Sequence, residues 1–441
     1  MDSSLPVSPF KTHGGVDILS RKHTAAQESA VLPPPEEVVL PMQQHVGAPC
    51  KPLVKTGDRV LIGQKIADSD AFVSAPIHAS ISGKVAGIVK ISLAGGQLVD
   101  AVRIVSDGKM ETSPDVKPPE IKDLPGFLAA VRASGLVGLG GAGFPTHVKL
   151  AVPKGKSVDT LIVNVAECEP YITSDNRCAL ENTAQIMHGI SSVKKWLGIH
   201  RVMIAVENNK PDVIETMKKA AAGDAEIGVL TLHSRYPQGA EKVLIQSCTG
   251  RCVPMGGLPA DVGCIVMNIA SAAALGEYLE TGMPLVKRRV TIDGSAIKNP
   301  QNVIVPVGTY IKTIIDFCGG YREKPKKILM GGPMMGVSIA SDQLPVIKQN
   351  NGIICLGEEE AHKMEPTACI RCGRCVRVCP MHLMPTMLEK FAMAKRVDDL
   401  QEYNVMDCME CGSCAYGCPA GRPLVQAIRL GKALVKARRK K

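Results

Sequence analysis

Over most of this chain, hydrophobic and polar positions alternate in short runs broken by turns. Residues 47–68 read GAPCKPLVKTGDRVLIGQKIAD and residues 74–88 read SAPIHASISGKVAGI. Both are short β-branched runs interrupted by Gly-Asp and Ser-Gly turns, which predicts a small all-β unit. Residues 108–122 (GKMETSPDVKPPEIK) are polar and Pro-rich, and predict a linker out of that unit. The pattern then becomes helical over 127–134, before the buried strand Thr160–Val165 (TLIVNV) and a second strand over 201–206 (RVMIAV). Further on, 289–294, 304–309 and 327–333 predict short strands around a helix at 310–317. Residues 387–395 (MLEKFAMAK) are good helix formers with apolar positions near helical spacing. The most apolar run, 262–275, is too short to span a bilayer and contains Asn268 and Ser271.

The 441 residues leave room for about three domains at roughly 100–200 residues each. Aromatic residues make up only 3%, so the cores are expected to be aliphatic. The net charge is +10, but the last eleven residues, GKALVKARRKK, contain six Lys or Arg and no acid, which leaves +4 for the rest. Such a tail predicts a solvated end, with an acidic partner or anionic lipid headgroups as the alternatives. No basic face is interleaved with aromatic residues, which argues against nucleic acid as a partner. The opening MDSSLPVSPFKTHGG has no apolar signal core, so a soluble or peripheral protein is expected.

The sixteen cysteines point to metal, not to disulfides. Eight fall in two arrays, Cys369-x-x-Cys372-x-x-Cys375-x-x-x-Cys379-Pro380 and Cys408-x-x-Cys411-x-x-Cys414-x-x-x-Cys418-Pro419. In this repeat three close cysteines wrap one corner of an iron–sulfur cube, and the fourth ligates the other cluster. The expected sets are therefore Cys369, Cys372, Cys375 and Cys418 for one 4Fe–4S cluster, and Cys408, Cys411, Cys414 and Cys379 for the second. A pair of zinc sites would leave the third close cysteine and the Cys-Pro step unexplained. The helical stretch between the arrays predicts a helical ferredoxin-like domain. Arg371, Arg374 and Arg377 lie between ligands and either offset cluster charge or form a solvated face. Cys50, Cys168, Cys178, Cys248, Cys252, Cys264, Cys318 and Cys355 lack ligand spacing, Cys248-x-x-x-Cys252 being a weak partial exception, and are expected as small buried residues.

The stretch VGLGGAGFPT (137–146) satisfies G-x-G-x-x-G, with Glu167 at about the distance expected of a ribose-binding acid. The context differs from a dinucleotide fingerprint, which follows a buried parallel strand. Here a helical segment precedes Gly138, and Phe-Pro-Thr follows Gly143, so that Pro145 would open the next helix. The loop is still suited to bringing bare N–H groups against a phosphate or a flat ring. The strand Thr160–Val165 ends in Ala-Glu-Cys-Glu-Pro, and a polar cluster beyond a strand's carboxyl end is where α/β folds place ligands.

Together, G-x-G-G-x-G-F-P-T-x-x-K, N-x-x-E-x-E-P and Y-P-x-G-x-E-K (236–242) resemble the flavin- and NADH-binding subunit of respiratory complex I. Over nearly its full length the chain more closely resembles the C subunit of the Rnf (or Rsx) electron-transport complex. The implied fold is multidomain α/β. A barrel-sandwich, lipoyl-like β domain is expected over 30–107, an FMN/NADH-binding α/β domain over 123–285, and a β-grasp, SLBB-like module over 286–342. A helical double 4Fe–4S ferredoxin domain over 360–425 and a basic tail over 426–441 complete it. The barrel resembles biotinyl and lipoyl carriers, but Lys84 follows the position of their attachment hairpin and residues 68–72 hold no lysine. A structural barrel is therefore expected.

The resemblance implies non-covalent FMN, oxidation of NADH or reduction of NAD, and exchange of electrons with membrane and iron–sulfur subunits that pump sodium or protons. It also implies ferredoxin as an indirect partner and a place at the cytoplasmic face of the cell membrane. Carried over by motif, Gly138, Gly140, Gly141, Gly143 and Lys149 line the FMN and nucleotide pocket. Asn164, Glu167 and Glu169 hold the flavin and order the nicotinamide, and Tyr236, Gly239, Glu241 and Asn268 complete the flavin site. The sequence departs from the complex I pattern at Ala166, where an Asp is usual, and at Ala240, which leaves one carboxylate of a pair. An exposed strand-end pair is the alternative for Glu167 and Glu169, and a solvated helix charge the alternative for Lys149. The hydride step requires no acid–base residue, so no catalytic side chain is nominated. Two other functions fit the same residues: an electron-transfer adaptor with a vestigial flavin fold, and a flavin/cluster enzyme acting on a quinone or a reduced ferredoxin without NAD.

Overall fold

The computed structural model describes residues 5–6, 8–361 and 364–439, with residue 439 described by its backbone alone. The N-terminal β unit is a sandwich of two antiparallel sheets. One orders Glu37–Pro41, Leu98–Ser106, Gly83–Ser92 and Arg59–Val60, and the other Lys51–Pro52, Lys65–Asp68 and Ile77–His78. Alternation places Val38, Leu40, Val85, Val102 and Ile104 inward against Ile66 and Ile77. Lys84 is exposed on its strand and pairs across to Arg59 in register. The polar stretch 108–122 is no free linker. Thr112 bridges to Ile62, Ser113 is buried, and Lys117 packs beneath Gly282.

The α/β unit is built on a four-stranded parallel sheet: β1 (Thr160–Val165), β2 (Arg201–Glu207), β3 (Ile227–Leu232) and β4 (Cys264–Asn268), in spatial order β3-β2-β1-β4. Helices cover both faces, so the apolar residues of β1 run together in Leu161–Val163 rather than alternating with polar ones. Its side chains alternate between two cores: Leu161, Val163 and Val165 enter one, Ile162 the other. Before the sheet, the helix Leu124–Ala133 and the short helix Thr146–Leu150 flank the glycine stretch; Pro145 caps the second helix one position earlier than expected.

The third unit is a six-stranded sheet ordered Ala30–Val31, Gln301–Pro306, Lys287–Asp293, Gly352–Leu356, Lys327–Met330 and Val337–Ile339, with the helix Ile311–Phe317 packed on it. Two of its strands lie outside 286–342, and Ala30 belongs to this sheet, not to the barrel.

The C-terminal unit is helical, as expected. Pro385–Met393, Val397–Glu402 and Leu424–Arg439 pack around Leu388, Leu400, Ile428 and Val435. The expected basic tail over 426–441 is thereby corrected. Residues 424–439 form a helix whose apolar side buries Ile428 and Val435, and whose cations are largely answered within the chain. Arg429 and Lys432 pair with Glu410, and Arg438 pairs with Asp398. Periodicity explains the correction, because Leu424, Ile428 and Val435 share one helical face that the Lys and Arg content obscures.

An N-terminal arm ties the units together. Phe10 N donates to Ser247 O, Gly15 N to Val378 O, and Val16 exchanges backbone bonds with Tyr236. Gly14 packs on the backbone of Cys379, the His13 ring stacks on His382, and the arm ends in the strand Ala30–Val31.

Candidate functional site

The chain runs outward from β1 to β2 and β3, then returns past β1 to lay down β4 on its other side. The connections therefore part between the carboxyl ends of β1 and β4, and open α/β sheets bind ligands at such a switch point. Asn164 and Asn268 stand there as register partners on the two strands. Asn164 Nδ2 donates to Gly239 O (2.9 Å), and its Oδ1 accepts from Ala166 N (3.0 Å). Asn268 Oδ1 caps the helix Ile269–Thr281 by accepting from Ala270 N (2.9 Å).

The glycine loop closes on itself over this point. Gly138 N donates to Phe144 O (2.8 Å), and Leu139 N to Ser271 Oγ (3.1 Å). Close approach explains two of the glycines. A Cβ on Gly140 would lie 2.5 Å from Asn268 Nδ2, and one on Gly143 (φ +69°) 2.1 Å from Gln349 Oε1. Gly141 is different: a Cβ there would meet nothing within 4 Å, and residues 140–142 form an exposed crest of bare backbone. An open glycine crest at the switch point fits a flat, phosphate-bearing flavin.

The charged residues expected in the pocket are engaged within the chain. Lys149 Nζ donates to Glu241 Oε1 (2.7 Å) and Val266 O (3.0 Å), so neither is a free solvated charge. Glu167 is buried and accepts from Asp175 N (2.8 Å) and Asn176 N (3.2 Å) at the start of the helix Ser174–Glu181. Glu169 accepts from Met334 N (3.0 Å) and Met335 N (2.8 Å), and burial lifts its carboxyl to about 6. The exposed strand-end reading therefore fails for both, since each carboxylate fixes a neighbouring backbone. Gly239 packs on Ala166 so closely that a Cβ would lie 2.2 Å from its carbonyl oxygen.

Three residues near the site, two of them buried, escaped sequence reasoning. Asp175 accepts from Asn268 Nδ2 at 2.6 Å through Oδ2, while Oδ1 is buried without a partner. Burial and the neighbouring Glu167 raise this carboxyl to about 7. Arg288 reaches in from the six-stranded sheet to donate to Leu139 O (3.2 Å) in the glycine loop and to Asn350 O (3.1 Å). Lys22 of the arm donates to the carbonyls of Glu167 (2.7 Å) and Glu169 (2.8 Å). Arg288 stands in a Lys-Arg-Arg triplet that reads as surface charge, and Lys22 lies in an unpatterned segment.

Tyr236 links this region to the cysteines. It is buried, and its hydroxyl donates to Cys411 O at 2.5 Å. Cys379, Cys408, Cys411 and Cys414 line one cavity, walled by Leu383, Met409 and Ile428. The sequence pairing of Cys379 with the second array is thus one that the fold brings together, and a space ringed by four thiols fits an iron–sulfur cube. Cys375 and Cys418 pack together against Leu424 and Val425, with Cys369 close enough to act on Cys375 electrostatically. Cys369 and Cys372 are exposed. By position, Cys379, Cys408, Cys411 and Cys414 form an inner set, and Cys369, Cys372, Cys375 and Cys418 an outer one.

Comparison with known proteins agrees with this layout. Family models match for the RnfC barrel sandwich hybrid domain (10–109), the Nuo51 FMN-binding domain (131–277), the SLBB domain (289–338) and a 4Fe-4S dicluster domain (361–419). The chain is 45% identical over 410 residues to the C subunit of the Na(+)-translocating ferredoxin:NAD(+) oxidoreductase complex of Acetobacterium woodii, covering 92% of this chain and 93% of that one. It is 46% identical over 417 residues to the proton-translocating counterpart of Clostridium ljungdahlii, covering 93% and 90%. The C subunit of the ion-translocating oxidoreductase complex of Rhodobacter capsulatus is 39% identical over 435 residues, covering 97% and 83%.

Proposed function

This chain belongs to the family of C subunits of ion-translocating ferredoxin:NAD(+) oxidoreductase complexes, and from that premise we propose how its residues carry electrons. It is an electron-transfer subunit of a multi-subunit oxidoreductase, with an FMN-binding domain and a 4Fe–4S dicluster domain. The proposed reaction is NADH oxidation or NAD reduction, with electrons exchanged with membrane and iron–sulfur subunits of an ion-pumping complex. Ferredoxin enters only through those subunits.

FMN held at this site would supply hydride chemistry toward NAD(H) and one-electron chemistry toward iron–sulfur clusters held by the cysteines. Gly138, Gly140, Gly141 and Gly143 supply the backbone crest against the flavin and its phosphate. Asn164, Gly239 and Asn268 shape the strand ends beneath it, and Arg288 adds a buried positive charge behind the loop. The Lys149–Glu241 pair, Glu167 and Glu169 act by fixing the surrounding backbone. The inner cysteines hold the cluster nearer the flavin, and the outer cysteines hold the one further out. The observation that carries this order is the hydrogen bond from Tyr236, at the edge of the flavin site, to Cys411 O.

The domain division 30–107, 123–285, 286–342 and 360–425 is proposed with three adjustments, Ala30–Val31 and Gly352–Leu356 joining the third unit and Leu424–Arg439 the fourth. Among the described residues no helix is long and apolar enough to cross a membrane. Peripheral attachment at the cytoplasmic face is proposed from the relatives' names, which describe ion-translocating complexes.

A second reading, an adaptor that passes electrons without using the flavin fold, draws on the engagement of Lys149, Glu167, Glu169 and Glu241 within the chain. Anaerobic titration of the cofactor-loaded protein with NADH separates the two. Flavin bleaching followed by cluster reduction supports the first reading; loaded clusters with no flavin and no response to NADH overturn it.

A further inference from the structure

The two cysteine arrays follow the same backbone path and carry opposite charge. Arg371 (φ +56°) and Glu410 (φ +60°) occupy equivalent left-handed positions, each followed by Cys-Gly with the glycine also left-handed (Gly373 +71°, Gly412 +85°). In the inner array the charges are answered within the chain. Glu410 accepts from Arg429 (2.8 Å) and Lys432 (2.7 Å), and Asp407 from Lys242 (3.4 Å) and Gly256 N (2.9 Å).

The outer array lacks such partners. Arg371, Arg374 and Arg377 are exposed, and among the described residues none has an ion pair or a side-chain hydrogen bond. The only acid between 364 and 377 is Glu365, and the nearby Glu389 is already held by Arg422 (2.6 Å). Within this uncompensated positive segment Ile370 is 66% exposed and Met364 56%, although isoleucine and methionine usually lie inside. Cys369 and Cys372 share the exposure, so a cluster held there would lie open to solvent.

We propose that the face carrying Ile370, Arg371, Arg374 and Arg377 is covered by a permanently docked, acidic protein subunit that brings its own one-electron centre to the outer cysteines. This rests on the reading of those cysteines as a cluster site. The unanswered cations select an acidic surface and speed its approach. The exposed apolar side chains and thiols favour a partner that stays. An anionic lipid surface would satisfy the arginines but could not accept an electron.

The test uses the full-length, cofactor-loaded protein. It is rebound to membranes from cells that make the other subunits of the complex but not this chain, over a range of KCl concentrations. Wild-type binding should weaken as salt rises. The triple variant Arg371→Glu/Arg374→Glu/Arg377→Glu should bind at least about tenfold more weakly with a flatter salt dependence, and the Arg→Gln triple should fall between. Lys84→Glu/Lys154→Glu/Lys218→Glu, reversed on exposed positions elsewhere, should bind as wild type. Iron content is measured on every sample; if the Glu triple loses iron, the Gln triple and the wild-type salt profile decide.

Salt-insensitive wild-type binding overturns the proposal, as does a reversal triple that binds normally or a control triple that is equally impaired. So do equal binding to protein-free phosphatidylglycerol vesicles and ready displacement by a soluble acidic ferredoxin. Wild-type protein without 4Fe–4S signals would instead defeat the underlying reading of the cysteines; intact signals with salt-insensitive binding defeat the docking face alone.

Discussion

Asn268 donates from Nδ2 to the buried carboxyl of Asp175, 2.6 Å away, while its Oδ1 caps the helix Ile269–Thr281. One side chain thus orients the helix start at the switch point and shields a carboxyl that has no other side-chain hydrogen bond among the described residues. Asn268→Ala is expected to lose the cap, at about 1 kcal/mol, and a further ~1–3 kcal/mol for leaving Asp175 without its donor. Denaturant unfolding would measure the sum, and a loss below that of an ordinary cap would contradict the double role.

Asp175 makes stability depend on pH. Its folded-state pKa, raised to about 7 by burial and Glu167, lies above the ordinary value of 3.8. The folded protein therefore favours the protonated form. That contribution is complete below about pH 4 and is lost as pH rises through about 7. Asp175→Asn should remove this loss, so its melting temperature relative to wild type should climb between about pH 4 and about pH 7 and level off above. A constant difference across that window would assign the dependence to other groups.

Gly141 and Gly143 should respond differently to alanine. Gly143→Ala forces a Cβ into Gln349 at a left-handed φ and should destabilise the fold by about 1 kcal/mol or more. Gly141→Ala meets nothing in the chain and should leave melting unchanged while lowering the FMN retained after gel filtration. Full flavin retention in Gly141→Ala would remove the crest from the binding site.

Tyr236→Phe deletes the donor to Cys411 O in a buried setting and should cost about 1 kcal/mol. With iron content unchanged, rapid mixing with NADH should show normal flavin bleaching and slower cluster reduction. Equal slowing of both phases would place the effect at the flavin.

Cys379→Ser and Cys418→Ser probe the crossed ligand sets. Each should lower bound iron from about eight to about four per chain. Cys379→Ser should extinguish the signal of the buried inner cluster and Cys418→Ser that of the outer one. The opposite assignment would mean that each array ligates its own cluster.

The regular elements were legible because local pattern fixes them. The apolar run within Thr160–Val165 had to lie in a sheet covered on both faces, and the spacing of the paired C-x2-C-x2-C-x3-C-P runs pointed Cys379 to the second array, beside which the fold places it. Side-chain orientation was less legible. Glu167 and Glu169 stand at a strand end as ligand-binding acids do, yet turn to the N–H groups of Asp175, Asn176, Met334 and Met335, partners that tertiary packing alone supplies. Arg288 beneath the glycine loop and Ala30–Val31 in a sheet completed some 300 residues later depend on the same long-range register. The Lys and Arg content of the tail masks a helical period that seats Ile428 and Val435 in the core.

The arm also sets an order of maturation. Gly14 and Gly15 leave the ribosome more than 300 residues before Val378 and Cys379, against which they pack. Contacts so distant in sequence are late steps, because the chain between them must first be ordered. The arm can therefore close only after the cysteine unit has taken shape, and the same closure seats Lys22 under the strand end beside the glycine loop. The seating of the strand end beside the glycine loop is thereby tied to the ordering of a unit more than 300 residues away.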